Sequence, residues 1–207
     1  TGDDLLATLQ QTGRARAVLR VGSLATLSRN FQIGFLRPVL GRADIEVILR
    51  SGSQGELLLG LEALALDVVL TNMPPARDDA SRYVTHRLAE QPVSLIGTPA
   101  RLGPPVALAV LLAREPLILP TPETSLRAAF DALAARLDLR PRIAAEVDDI
   151  AMMRLLARED AGLAVLPPIA VRDELEAGSL VEAHRLPGIT ESFLAVTRDR
   201  RFPNPLL

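Results

Sequence analysis

Three short apolar stretches decide the fold of this chain: AVLRVG at residues 17–22, IEVILR at 45–50 and LDVVL at 66–70. Each has the length and the aliphatic content of a buried strand. Segments with the spacing of amphipathic helices separate them, at about 26–40 and 54–64. Strands that alternate with helices in this way predict a parallel α/β sheet covered on both faces. Open α/β sheets bind ligands in the crevice beyond the carboxyl ends of their strands.

Small polar residues follow each of these strands and predict a receptor pocket for a small polar molecule. They are Ser23, Ala25 and Thr26 after the first strand, Ser51, Gly52 and Ser53 after the second, and Thr71 and Asn72 after the third. Backbone N–H groups at the start of the first helix suit a carboxylate or another anion. The alternatives stay open that Ser23 or Thr26 only caps the helix, and that Asn72 only makes a turn.

The strand and helix pattern occurs a second time, between residues 92 and 189. An apolar segment at 92–97 is predicted to cross into this second lobe, and 192–197 is predicted to return from it. We therefore predict two α/β lobes, with 16–91 and 190–207 in lobe one and 92–189 in lobe two. The helical spacing within 1–15 predicts the tail of a helix.

Polar residues also follow the predicted strands of the second lobe. We expect Pro120, Thr121 and Ser125 to face the ligand from the opposite side, unless Thr121 or Ser125 merely caps the next helix. Pro167 is expected to shape the far wall of the predicted ligand pocket. Asp148 and Asp149 form an acidic pair at a strand-to-helix junction, where Asp149 is predicted to cap the helix. The alternative is a site for a hard cation, which carboxylate oxygens bind well.

Composition excludes several classes of protein. The net charge of −2 and the scattered arginines give no basic face for duplex DNA. There is no Cys, no apolar run reaches the ~18 residues of a membrane span, and the two His are 98 positions apart. The sequence has no Gly-x-Ser-x-Gly nucleophile motif, and the Gly52-Ser53-Gln54-Gly55 loop lacks the Lys of a phosphate loop. We therefore predict no catalytic residue, no cofactor and no membrane association.

Three motifs taken in order resemble the effector-binding domain of LysR-type transcriptional regulators. They are LRVG at 19–22, LDVVL at 66–70 and GLAVLP at 162–167. Asp160 departs from the family pattern, which has a first glycine at this position. The resemblance covers nearly all of 16–198. Within the family, LDVVLTNMP at 66–74 and EVDDIAMM at 146–153 are similar to the branch that activates sodium/proton antiporter genes.

The resemblance implies a type 2 periplasmic-binding-protein-like fold, with two Rossmann-like lobes joined by two hinge strands and a small-molecule or ion effector between them. It implies that 1–15 ends a linker helix, that a winged helix-turn-helix domain absent from this chain binds DNA, and that the protein is cytoplasmic. It further implies a homodimer or tetramer in which the helix at 27–40 packs against the helix at 126–137 of a partner. Two rival interpretations remain: a solute-binding protein of a transporter, and an enzyme on the same fold.

Overall fold

The computed structural model describes residues 17–76, 82–199 and Leu206. The predicted linker helix at 1–15 lies outside the described residues. In chain order the elements are β1 (Ala17–Leu24), α1 (Arg29–Leu36), β2 (Ile45–Gly52), α2 (Gln54–Glu62), β3 (Val68–Thr71), β4 (Tyr83–Gly97), α3 (Pro99–Leu102), α4 (Leu108–Arg114), β5 (Leu117–Pro120), α5 (Ser125–Arg136), β6 (Ile143–Val147), α6 (Ile150–Arg158), β7 (Leu163–Leu166), a 3₁₀ turn (Pro168–Val171), α7 (Arg172–Ala177) and β8 (Val181–Arg198).

The chain divides into two compact units. Of the described residues, unit one contains 17–25, 32–76, 82–89, 193–199 and Leu206, and unit two contains Thr26–Phe31 and Glu90–Ser192. The boundary falls within α1, so that its first residues are grouped with unit two. Two long strands, β4 and β8, carry the chain from one unit to the other. The predicted α/β fold with two lobes and two connecting strands is confirmed.

Unit one is built on three parallel strands. β1 pairs with β2 on one side and with β3 on the other, and the last part of β8 pairs antiparallel with β3. Every residue of β3 is buried, whereas four of the eight residues of the outer strand β2 are exposed. Apolar side chains of β1, β3 and α2 form the core of this unit, among them Leu57 and Leu61.

Unit two has a sheet with the strand order β4, β7, β5, β6. β5 runs parallel to β6 and β7, and β4 runs antiparallel to β7. β5 and β7 are buried throughout, as their uninterrupted apolar sequences predict. Their side chains alternate between two cores, one that contains Phe130 and one that contains Met153.

Several predicted bounds were wrong. α1 begins at Arg29 rather than near Thr26, and it ends at Leu36, before Pro38. The segment predicted at 92–97 is the last part of a longer strand, β4, which begins at Tyr83 and continues through Pro92. β8 begins at Val181, eleven residues before its predicted start at Ser192. Its first half has a mixed polar sequence, and the strand there is fixed by long-range contacts rather than by local propensity.

The turn before β7 explains why position 162 is glycine and why position 160 can be aspartate. A Cβ at Gly162 would lie 2.5 Å from the carbonyl oxygen of Pro116, so the close approach of the two backbones requires glycine. Asp160 has a φ of +60°, a conformation that aspartate tolerates better than most residues. Its carboxylate accepts hydrogen bonds from Arg101 Nε at 2.7 Å and from Thr98 Oγ1 at 2.8 Å. These bonds hold the aspartate at the position where the resemblance to LysR-type regulators implies a glycine.

None of the helices in the described ranges has both the length and the apolar character needed to cross a membrane.

Candidate functional site

The carboxyl ends of the three parallel strands of unit one bring together residues that the sequence analysis selected. We call these residues the first edge: Ser23, Ala25, Ser51, Gly52, Thr71. Ser23 is the direct neighbour of Ser51 across β1 and β2, and of Leu70 across β1 and β3. The N–H of Ala25 donates to the carbonyl of Gly52 over 3.4 Å. β1 and β2 each extend two residues beyond their predicted ends, and this extension places both serines within the sheet.

The hydroxyl of Ser23 is the unusual group of the first edge. Ser23 is only 2% exposed, and among the described residues its Oγ has no hydrogen-bond partner. An unpaired buried hydroxyl costs about 1–3 kcal/mol in proteins, so such groups are rare and need an explanation. Ser51, on the neighbouring strand, is exposed.

Thr71 is equally buried, but its hydroxyl is used within the protein. Its Oγ1 donates to Gln54 Oε1 over 2.6 Å and accepts from the N–H of Met73 over 3.1 Å. Gln54 Nε2 in turn donates to the carbonyl of Met73 over 2.9 Å. This network ties the end of β3 to the start of α2. Asn72 follows it, is half-buried and has contacts of its own.

A capping box occupies the N-terminus of α2. Ser53 Oγ accepts from the N–H of Glu56, and Glu56 Oε2 accepts from the N–H of Ser53, both over 3.3 Å. The carboxylate of Glu56 therefore already lies at the positive end of the helix dipole. A second anion at this helix start would face a like charge, and the hydroxyl of Ser53 is committed to the cap.

The segment Thr26–Phe31 places the start of α1 in unit two. Ser28, which is fully buried, accepts from the N–H of Phe31 over 3.3 Å and caps the helix. The alternative that Ser23 or Thr26 provides this cap was therefore wrong. Asn30 Nδ2 donates to the carbonyl of Ile169 over 2.8 Å, which holds the segment against the turn that follows β7.

The carboxyl ends of the strands of unit two form the second edge, which consists of Pro120, Thr121, Asp149, Pro167. Thr26 is half-buried and is grouped with unit two, but it follows β1 rather than a strand of that unit. Pro120 is paired with Val147, whose carbonyl accepts from the N–H of Thr121 over 3.2 Å. Asp149 follows Val147 by two residues, and the carbonyl of Pro167 accepts from the N–H of Ala170. Because β5 pairs in parallel with both β6 and β7, the carboxyl ends of the three strands lie at the same edge of the sheet.

A buried arginine, Arg127, is hydrogen-bonded to the backbone of the second edge. Arg127 is 7% exposed; its Nη1 donates to the carbonyl of Pro120 over 3.1 Å and its Nε to Asp131 Oδ1 over 2.9 Å. Thr124 caps α5 by accepting from the N–H of Arg127, so the alternatives that Thr121 or Ser125 caps this helix were wrong. Ser125 is exposed at the first position of α5.

The hydroxyl of Thr121 makes a local bond. It donates to Glu123 Oε1 over 2.7 Å, and this hydrogen bond lowers the pKa of the Glu123 carboxyl. Thr121 itself remains half-buried.

Asp149 caps α6, as predicted. Its Oδ1 accepts from the N–H groups of Ala151 at 2.7 Å and Met152 at 3.1 Å. Its other oxygen, Oδ2, lies 3.8 Å from Nη2 of Arg29, and both side chains are 40% exposed. Asp148 is exposed beside it. Across the described ranges, no cluster of three or more His, Asp or Glu side chains is placed to hold a metal ion.

Sequence reasoning missed five residues that shape the two edges: Ser28, Arg29, Asn30, Gln54, Arg127. Arg127 carried a signal, because Asp131 follows at the spacing of a helical ion pair. The others depend on contacts between segments distant in sequence, such as the contact of Asn30 with Ile169, which is 139 positions away. No local pattern indicates such contacts.

Comparisons with known proteins place this architecture in a family. A sequence model of the LysR substrate binding domain matches residues 12–207. No curated protein matches the sequence.

Solved structures with the same fold include three whose sequences are distant. The bromide-bound regulatory domain of HypT from Salmonella typhimurium has a TM-score of 0.74 at 14% identity, over 93% of this chain and 91% of that one. The regulatory domain of CcmR from Synechocystis PCC6803, in complex with 2-PG, has a TM-score of 0.66 at 16% identity, over 90% and 89%. DarR from Vibrio fischeri, in complex with DNA, has a TM-score of 0.71 at 15% identity, over 99% and 69%.

The match to the family spans almost the whole chain, and the order of strands and helices agrees with it. This chain belongs to the LysR substrate binding domain family.

Proposed function

We propose that this chain is the effector-sensing domain of a LysR-type transcriptional regulator, and that it has no enzymatic activity of its own. Membership of the family supports the regulator over the receptor of a transporter. In this proposal an N-terminal winged helix-turn-helix domain binds DNA in the cytoplasm, joined through 1–15 to lobe one (16–91 and 190–207), with lobe two at 92–189. The effector changes DNA binding only through its difference in affinity between two states of the protein.

We assign the effector to the first edge because of the buried hydroxyl of Ser23. Its Oγ has no hydrogen-bond partner among the described residues, whereas the buried hydroxyls of Thr71 and Ser28 are both used within the protein. An effector atom that bonds to Ser23 would remove the cost of the unpaired group. Ser51, which is exposed, is its direct neighbour on the next strand.

The second edge favours an anionic group on the effector. The first turn of α1 contains Arg29 and no acidic residue, so it combines a guanidinium with the positive end of a helix. The guanidinium lies 3.8 Å from the carboxylate of Asp149, with which an anion has to compete, whereas the carboxylate of Glu56 is hydrogen-bonded into the cap of α2. We therefore propose a small carboxylate, phosphate ester or halide as the effector. Whether one effector touches both edges, with Thr26, Asn72, Thr121, Ser125 and Pro167 among its contacts, stays a prediction.

The test is a binding screen on the unsubstituted chain of 207 residues. Bromide, 2-PG and a panel of small carboxylates would be added singly, and the unfolding temperature measured, because a ligand that binds the folded state raises it. A compound that raises it would then be titrated by calorimetry against Ser23→Ala and Arg29→Gln. Arg37→Gln, an exposed arginine after α1, is the matched control. Binding that neither Ser23→Ala nor Arg29→Gln weakens would contradict the assignment.

Neither the family match nor the similar solved structures support the sodium/proton antiporter activator branch, which stays a prediction. A cation at Asp148 and Asp149 would have to bind beside the guanidinium of Arg29, which lies 3.8 Å from Asp149. One oxygen of Asp149 is also committed to capping α6. These contacts favour an anion over a cation at the second edge.

We further propose that the chain assembles as a homodimer or tetramer. The helix α5, which overlaps the predicted contact helix at 126–137, has an outer face that includes Ala128, Asp131 and Ala132. The outer face of α6 instead exposes Met152 (48%) and Leu155 (42%). Exposed apolar side chains on neighbouring turns of a helix mark a contact surface more strongly than alanines do. The α6 face is therefore our choice for the contact of unit two with a partner copy.

A further inference from the structure

An ion pair joins α6 to α7 in unit two, outside the two edges. Arg154 Nε lies 3.3 Å from Glu174 Oε1, and Glu174 is only 7% exposed. Two atoms of the pair, Arg154 Nε and Glu174 Oε2, are buried and have no hydrogen-bond partner among the described residues. Apolar side chains of similar size are often at least as stabilising as a buried ion pair whose polar atoms are left unpaired. The stability of the fold therefore does not explain this pair.

On one side, the pair is connected to the segment that contains Arg29. The helix α7 follows the 3₁₀ turn Pro168–Val171 directly, and Glu174 lies in its first turn. The carbonyl of Ile169, within the 3₁₀ turn, accepts from Asn30 Nδ2 over 2.8 Å. Because Asn30 is the neighbour of Arg29 in the chain, a shift of α7 changes the position of Arg29.

On the other side, α6 leads to the same arginine. Asp149 caps α6, the helix that contains Arg154, and its Oδ2 lies 3.8 Å from Arg29 Nη2. The contacts therefore close a ring that passes through the segment 29–30, the 3₁₀ turn, α7, α6 and Asp149. All its members belong to unit two. The ion pair is the link in this ring between the two helices.

The separation between Arg29 and Asp149 matters for an anion. A hydrogen-bonded ion pair has an N–O distance of about 2.7–2.9 Å, which is shorter than the 3.8 Å found here. If the ring allowed the two side chains to approach, the carboxylate would bind the guanidinium more tightly and compete more strongly with an anionic effector.

Apolar packing also holds these elements together. Met153 and Ala157 of α6 share a hydrophobic core with Ala170 and Val171 of the 3₁₀ turn. Such packing is non-directional, whereas the attraction between two charges selects which turns of α6 and α7 face each other. The alternative is that packing alone sets the position of the helices, and an experiment distinguishes the two explanations.

From this ring we propose that Arg154 and Glu174 are positioning residues for the anion site. They hold α6 and α7 in register, and thereby keep Arg29 and Asp149 far enough apart for an anion to reach the guanidinium. Neither residue contacts the anion. This inference rests on the proposed function, since Arg29 is the arginine to which an anionic effector is assigned.

The double variant Arg154→Met with Glu174→Leu removes both charges. It should unfold at or above the Tm of the parent, because apolar side chains replace the buried pair. Arg154→Met alone leaves Glu174 without its counter-charge and should lower the Tm by roughly 5–10 °C. If the double variant is less stable than Arg154→Met, then Glu174→Gln, which has the shape of glutamate without its charge, replaces it in the experiments below.

A measurement without ligand tests the positioning directly. In NMR spectra of the parent, the side-chain amide of Asn30, assigned with Asn30→Asp, should show nuclear Overhauser effects to protons of Ile169. In the double variant these effects should weaken, and the backbone amides of Thr26–Phe31 should shift. The control, Arg158→Met with Glu176→Leu, removes an exposed arginine and an exposed glutamate from the same two helices and should change neither. Spectra of the double variant that match the parent in this segment overturn the proposal.

Inorganic phosphate is the anion probe, and its Kd is measured from the amide shifts of Thr26–Phe31. We expect the double variant to bind it roughly two- to fivefold more weakly than the parent, because Arg29 and Asp149 can then approach. Adding Asp149→Asn should restore the affinity, since it removes the competing carboxylate. A loss that Asp149→Asn does not restore indicates general disruption and overturns the proposal.

The two measurements separate this inference from the proposed function. If phosphate and the other anions of the binding screen leave Thr26–Phe31 of the parent unchanged, the anionic effector is contradicted, while the spectra without ligand still decide whether Arg154 and Glu174 position Arg29. If anions bind the parent and the double variant equally, the positioning role is wrong and the anionic effector stands.

Discussion

Replacing Ser23 by alanine should stabilise the chain without effector and weaken its binding of effector. The hydroxyl is buried and has no partner among the described residues. Removing an unpaired buried hydroxyl recovers part of a cost of about 1–3 kcal/mol, so we expect the free energy of unfolding to rise by about 1–2 kcal/mol. In a chain of this length each kcal/mol corresponds to about 2–4 °C in Tm.

Ser28 provides the matched control. It is also a serine that is fully buried, and it is only five positions further along the chain, but its Oγ accepts from the N–H of Phe31. Because Ser28→Ala removes a helix cap, it should lower the free energy of unfolding by about 1 kcal/mol. The two substitutions delete the same atom and should have opposite signs. Denaturant unfolding of both variants and the parent measures the difference.

The same change should act in the opposite direction on binding. If the effector bonds to Ser23 Oγ, Ser23→Ala loses a bond worth about 0.5–1.5 kcal/mol, or roughly two- to tenfold in Kd. The rise in Tm that the effector produces in the parent should shrink accordingly. A Ser23→Ala chain that is less stable than the parent, by an amount similar to Ser28→Ala, would refute the reasoning, because it would show that the hydroxyl already has a partner.

Two further predictions concern other parts of unit two. A hydrogen bond from Arg101 lowers the pKa of Asp160, so the contribution of this carboxylate to stability is complete above its ordinary pKa of about 4 and is lost as the pH falls through the lowered pKa. Asp160→Asn should therefore lower the free energy of unfolding at pH 7, and lower it less below pH 4, as measured by denaturant unfolding. An equal loss at the two pH values would contradict this prediction. Met152→Lys combined with Leu155→Lys should lower the molar mass of the assembled chain in light scattering, whereas Ala132→Lys on α5 should not; the reverse result would favour α5 as the contact.

The strands that could be predicted are those that local sequence determines. β3, β5 and β7 are short, wholly buried and uninterrupted in their aliphatic residues, so each is recognisable without knowing its neighbours. The first half of β8 contains Pro187 and Gly188 and alternates irregularly. Its place depends on contacts such as Ser94 with Glu182 and Thr190 with Glu90, which join residues 88 and 100 positions apart. Such contacts exist only once the chain has folded.

The polar groups of the candidate site also divide into features that local sequence predicts and features that depend on long-range contacts. That hydroxyls gather at the strand ends follows from the alternation of strands and helices, and the register of Ser23 beside Ser51 agrees with it. Which hydroxyl is used for capping could not be derived, because Thr121, Thr124 and Ser125 lie within five residues and each can cap a helix. Packing selects Thr124 for this role. Whether the hydroxyl of Ser23 has a hydrogen-bond partner depends on atoms from several segments.

The contact between Arg29 and Asp149 distinguishes an anionic effector from a cationic one. An anion that binds Arg29 must compete with the carboxylate of Asp149, which lies 3.8 Å away. Asp149→Asn removes this competing charge, and because asparagine caps helices as well as aspartate does, α6 should keep its stability. We therefore expect Asp149→Asn to tighten binding of an anionic effector, by roughly two- to fivefold for a half-exposed pair of charges.

Asp148→Asn is the control for that experiment, since it removes the same charge from the exposed neighbouring position. It should change the affinity less than Asp149→Asn does. If the effector is instead a cation held by Asp149, then Asp149→Asn must weaken binding and Arg29→Gln must strengthen it, because the guanidinium would repel the ligand. The two hypotheses thus predict opposite signs for both substitutions. A measured loss of affinity in Asp149→Asn, with α6 intact by circular dichroism, would overturn the anionic assignment.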